Sequence, residues 1–217
     1  MIQSSPNYIP IKYLCSLSSQ YEWDDWDPYE VVGKINEELV EKLAMLSFRA
    51  VVTFAIGCSE WVIWRFRKKT DDPVPYQYLE ACWVYNLTNE YKAPPILKDK
   101  DWKGPVRGAI NLSLMTILNS IYNTEDECPE AEAAYADDVT LHILSNDPLY
   151  IEWRDKVLSR LNDLYPRQDK NPMGNPIPRE VLDVDTEFNF DDSEILIHNF
   201  LSTVNILDNP FIRPYNK

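Results

Sequence analysis

The residues best suited to chemistry in this chain are carboxylates. The run DVDTEFNFDDSE, residues 183–194, sets six of them in twelve positions without a Lys or Arg. Taking Asp183 as the first position, acids fall at positions 1, 3, 5, 9 and 12 (Asp183, Asp185, Glu187, Asp191 and Glu194), the spacing of a calcium-binding EF-hand loop. That loop also needs glycine at position six for its sharp turn, and Phe188 stands there, a bulky residue that disfavours a left-handed backbone. The preceding NPIPREVL is a poor incoming helix. The pattern therefore predicts no metal site, and Asp183, Asp185, Glu187, Asp191 and Asp192 are read as surface offered to a partner.

Acid–base catalysis needs groups with separated pKa values or a base beside a nucleophile. Each of the two histidines has an acid four residues earlier, Asp138 before His142 and Glu194 before His198, which places both groups on one helix face. Such a pair can orient an imidazole, so a helical hydrolase is the enzymatic alternative, although helix-stabilising pairs are the commoner use of this spacing. Phosphate-cradling glycine loops and the GxSxG elbow are missing from the sequence. Cys15, Cys58, Cys82 and Cys128 are widely spread with no CxxC, which predicts reduced thiols rather than a zinc site or a disulfide framework. No cofactor is expected.

Two further acidic stretches stand out. YEWDDWDPYE, residues 21–30, interleaves five acids with four aromatics. Trp23 and Trp26 are the residue type that anchors interfaces, and Asp24, Asp25 and Asp27 would steer a basic partner toward them. One of the two indoles is equally suited to pack on the core, with Asp27 capping the following helix. TEDECPEAEAAYADD, residues 124–138, holds seven acids, of which Glu125, Asp126 and Glu127 exceed what a helix N-terminus asks for. The three stretches contain eighteen of the 35 acidic residues, against 21 basic ones and a net charge of −14. A surface this negative disfavours nucleic acid, anionic lipid and anionic substrates, and favours basic proteins.

These residues need elements to carry them. Hydrophobic periodicity predicts an all-α fold: one domain over 1–217, a bundle of about six main helices. The predicted helices are 29–69 (broken or kinked near Gly57), 76–90, 105–123, 129–145, 148–165 and 193–206. An irregular arm spans 1–29, and a long Pro-rich acidic connection spans 166–191. The apolar centre AVVTFAIGCS is bracketed by Arg49 and Glu60 and is too short for a membrane span, which needs about 20 residues. It is read as the central helix of the core. No secretion signal is read at the N-terminus, so a cytoplasmic location is expected.

The overall profile resembles bacterial immunity proteins: compact, acidic and aromatic-rich, with no active-site signature and no shared motif. That resemblance implies a non-enzymatic protein that binds a cognate antibacterial toxin with a basic surface and occludes its active or substrate-binding face. A DNA-mimic regulator is the remaining alternative.

Overall fold

The computed structural model describes residues 5–17, 21–96, 103–126 and 128–215. Among them are nine α-helices: α1 (Ile11–Leu14), α2 (Pro28–Val32), α3 (Glu37–Leu43), α4 (Phe48–Arg65), α5 (Val74–Leu87), α6 (Gly104–Tyr122), α7 (Glu130–Ile143), α8 (Pro148–Leu164) and α9 (Ser193–Thr203). A two-residue antiparallel pair, β1 (Tyr91–Lys92) with β2 (Arg213–Pro214), sets Tyr91 opposite Pro214 and Lys92 opposite Arg213. The protein is thus predominantly α-helical, as the periodicity predicts. No helix of the described residues is long and apolar enough to cross a membrane.

The centre is α4, every residue of which is buried. Its apolar side chains occupy all faces, so it must be surrounded, and α5, α6, α7 and α8 pack around it. Phe54, Trp61, Trp83 and Tyr150 are among the fully enclosed side chains.

The expectation of one long helix over 29–69 is corrected. The chain breaks twice, between Val32 and Glu37 and between Leu43 and Phe48, and the reason for the second break is where the backbone donors go. The first N–H groups of a helix have no partner within it. Here Ser47 N donates to the Tyr165 carbonyl at 3.0 Å, Phe48 N to that of Pro172 at 2.9 Å and Arg49 N to that of Met173 at 3.0 Å. The Ser47 hydroxyl accepts from Ala50 N. A segment far along the chain, at the start of the Pro-rich connection, therefore caps α4. Gly57 does not mark the break. A Cβ there would lie 2.9 Å from both Leu182 Cδ1 and Trp153 Cη2, so its role is to let α8 and the connection approach α4.

Charged groups inside the core also depart from a simple apolar reading. Glu60 is fully buried and accepts hydrogen bonds from the Tyr8 hydroxyl, from Trp83 Nε1 at 3.2 Å and from Arg179 Nη2 at 2.5 Å. Burial raises its pKa and Arg179 opposes the rise. Tyr8 from the arm and Arg179 from the Pro-rich connection are thereby tied to the central helix. Asp137, also fully buried, accepts from the Tyr150 hydroxyl at 2.6 Å and pairs with Arg154 at 3.2 Å. A buried carboxylate left without such partners is strongly destabilising.

Candidate functional site

The 21–30 arm makes short-range bonds and sits against a notch in α6. The Trp23 indole is half-buried and lies over Gly108, where a Cβ would come within 2.5 Å of its Cζ2. Trp23 Nε1 donates to Asp25 Oδ1 at 2.8 Å, and the same oxygen accepts from Gly104 N at the start of α6 at 2.6 Å. The bonds from Gly104 and Trp23 hold the Asp25 carboxyl below its ordinary pKa. Asp24 accepts from Trp26 N, and Asp27 caps α2 by accepting from Glu30 N. The two indoles divide as the sequence allowed: Trp23 packs down, while Trp26 stands 91% exposed, with Lys103 Nζ 5.8 Å from its ring centroid. Both Glu22 and Glu30 side chains face solvent.

The arm lies along α7, which brings parts of two acidic stretches together. Tyr29 stacks on Tyr135 at 5.5 Å, Asn36 N donates to Asp138 Oδ2 at 3.2 Å, and His142 Nε2 contacts the Glu22 carbonyl at 2.7 Å. Tyr135 is consequently surrounded by the charges of Asp138, Asp27 and Glu132, which add to burial in raising its pKa. Burial, with Asp137 adding to it, pushes the Asp138 pKa up to about 6, and the bond from Asn36 works against the rise. Glu125 and Asp126 are exposed in the turn after α6. That turn is at the far end of α6 from Gly104. Glu127 falls outside the described residues.

The 183–194 run is organised by a cation from within the protein. Arg160, on α8, donates through Nη1 to the carbonyls of Val181 (3.2 Å) and Asp183 (2.9 Å), and through Nη2 to those of Val184 (3.3 Å) and Thr186 (2.9 Å). Lys156 pairs with Asp185 at 3.2 Å, and Asn7 donates to Asp183 Oδ2 at 3.1 Å. Glu187, Asp191 and Asp192 remain exposed, the last two in a 3-10 turn that leads into α9. A guanidinium thus gathers the backbone oxygens of a segment whose carboxylates have calcium-like spacing. Among the described residues no three or more His, Cys, Asp or Glu side chains converge in a way that could hold a metal ion. Arg160 carried no motif, and its partnership with residues some twenty positions later has no local signature.

The histidines differ in setting. His142 packs edge-on against Tyr21 at 5.7 Å, and Asp138, its partner by spacing, is bonded to Asn36 instead. His198 is exposed on α9, at the rim of an open groove of about 660 Å3 with Leu87, Pro176, Phe190, Ile197 and Leu201 in its walls. Ser193 and Glu194 border the same groove, but the Ser193 hydroxyl donates to the Phe190 carbonyl at 2.6 Å rather than to a base. The four cysteines are free, and burial raises the pKa of Cys58 and Cys82, which leaves both as inert thiols. The chain matches no protein-family model, and neither the curated proteins nor the solved structures contain a significant match to it.

Proposed function

We propose that the protein is a non-enzymatic binding protein that captures a basic protein through the face built from residues 22–30 and the adjoining flank of α7. The observation that carries this reading is Trp26, 91% exposed on an arm that the Trp23–Gly108 and Asp25–Gly104 contacts hold in place. A large aromatic held out in water, with Asp24, Asp27 and Glu30 within four residues of it in sequence, suits an interface anchor with a steering rim. Lys103 Nζ, 5.8 Å from the ring centroid, is consistent with a cation resting against this indole. Glu187, Asp191 and Asp192 add to the long-range negative field. Within this class, a toxin-neutralising immunity protein acting in the cytoplasm is the reading we favour. Its partner would be a toxin that is basic because it must hold a polyanion.

Kinetics with the purified partner test the proposal. Glu22→Lys with Glu30→Lys leaves every side-chain bond of the arm intact, and should slow association and flatten its salt dependence. Trp26→Ala should act on dissociation, with a loss of about 2 kcal/mol or more. Unchanged rates in both variants would remove this face from the mechanism. The groove beside His198 supports a second reading, a hydrolase; loss of function on His198→Ala alone, with Trp26→Ala silent, would favour it. A DNA-mimicking regulator would use the same acids but select a nucleic-acid-binding protein as its partner.

A further inference from the structure

Arg49, the second residue of α4, is 5% exposed. Arg154, Arg167 and Arg179 each meet a carboxylate, whereas Arg49 has none within ion-pair distance among the described residues. Its Nη1 donates to the Asn86 carbonyl and its Nη2 to Asn89 Oδ1 at 2.6 Å, both neutral acceptors. Its Nε is buried and has no hydrogen-bond partner among the described residues. Burial lowers the pKa of this guanidinium, yet an arginine keeps its charge in a protein. A buried cation satisfied only by neutral oxygens is costly unless an anion joins it.

The structure supplies room for that anion. Arg49 lines a cavity of about 240 Å3 whose walls include the hydroxyl-bearing Tyr85, Thr88, Tyr91 and Tyr215 and the apolar Val52 and Met173. Among the described residues no Asp or Glu lines it, although the chain carries 35. Lys92 Nζ lies 5.7 Å from the ring of Tyr215 and is not part of the lining, so Arg49 is the cation of the site. The volume is below the roughly 300–1,000 Å3 of drug-sized pockets, which limits the occupant to a small molecule or the end of a chain.

We propose that this cavity binds a small monocarboxylate, whose anionic group pairs with the Arg49 guanidinium while its short apolar remainder meets Val52 and Met173. One carboxylate balances one buried positive charge and matches the planar donor array of arginine. A phosphate dianion would leave excess charge in a protein whose overall field is already negative. The site uses none of the residues of the 22–30 face and stands or falls separately from it.

The test is a titration of the full-length 15N-labelled protein with sodium acetate, following the Arg49 Nε–Hε resonance at ionic strength held constant with sodium chloride. Acetamide, the neutral isostere, and inorganic phosphate are titrated in parallel. The expected result is a saturable shift with acetate, a rise in Tm that follows the same affinity, and no saturable shift with acetamide. Arg49→Lys should weaken acetate binding by about tenfold or more, because hydrogen bonds to a charged group contribute on that scale. If that variant does not fold, the acetate–acetamide comparison on the unmodified chain decides alone. No saturation by acetate, equal responses to acetate and acetamide, or tighter binding of phosphate would each overturn the proposal. Glycyl-glycine against its C-terminal amide then distinguishes a free acid from the end of a peptide as the source of the carboxylate.

Discussion

Gly108→Ala tests how the arm is held, because it adds a single methyl group under Trp23. The new Cβ would lie 2.5 Å from Trp23 Cζ2, 2.9 Å from Cε2 and 3.0 Å from Nε1, closer than carbon atoms approach without displacement. Gly108 is inside α6, where alanine gains about 1 kcal/mol over glycine in helix propensity. Against this, overpacking typically costs about 1–3 kcal/mol. The half-buried indole can relieve the clash only by leaving its seat, which also strains its bond to Asp25. The overpacking equals or exceeds the propensity gain, giving a net change in global stability of about −2 to 0 kcal/mol. The local change is large: the arm loses its latch. Hydrogen–deuterium exchange should show faster exchange over 21–30, with the peptides of α4 unchanged, and tryptophan emission should shift to the red. An alanine variant about 1 kcal/mol more stable than the parent, with unaltered exchange in the arm, would refute the Trp23–Gly108 contact.

Phe54→Ala should destabilise by about 3–5 kcal/mol in urea unfolding, since the ring is 0% exposed at the centre of α4; a change under about 1 kcal/mol would contradict the central position of this helix. Arg160→Met removes the donor to four carbonyls and should cost about 1.5–3 kcal/mol while raising exchange over 181–186. Asp138 has a folded pKa of about 6, raised mainly by burial, so the folded state binds its proton more tightly than the unfolded chain does. Its contribution is present in full below the unfolded pKa and is lost as pH rises toward 6. Asp138→Asn should therefore gain stability relative to the parent between pH 4 and about 6 and hold a constant difference above that range; a difference that does not vary with pH would show that Asp138 titrates normally.

Local signals were legible where the chain's neighbours decide the structure. The helix predicted over 148–165 is α8, Pro148–Leu164, which begins at a proline. The apolar stripes of α5, α6 and α7 lie within a few residues of the ranges their periodicity predicts. What could not be read depends on distant partners. The break before Phe48 is set by carbonyls at Tyr165, Pro172 and Met173. The burial of Glu60 makes sense only once Arg179 is beside it, and the path of residues 181–186 only once Arg160 is. Among the candidate site residues, the aromatic–acidic composition of 21–30 was visible, but the division of labour was not. Asp25 is a latch to α6 and Trp23 is packing, so reversing Asp24 and Asp25 together would disturb the arm as well as its charge. Glu22 and Glu30 are the cleaner positions.

The most direct measurement is a hydrogen–deuterium exchange footprint of the protein alone and bound to its purified basic partner. Protection concentrated in residues 22–30 and on the flank of α7 around Glu132–Asp138, lost in Trp26→Ala, is the result expected of the proposed face. Protection confined to the groove beside His198, with 22–30 exchanging as in the free protein, would contradict it.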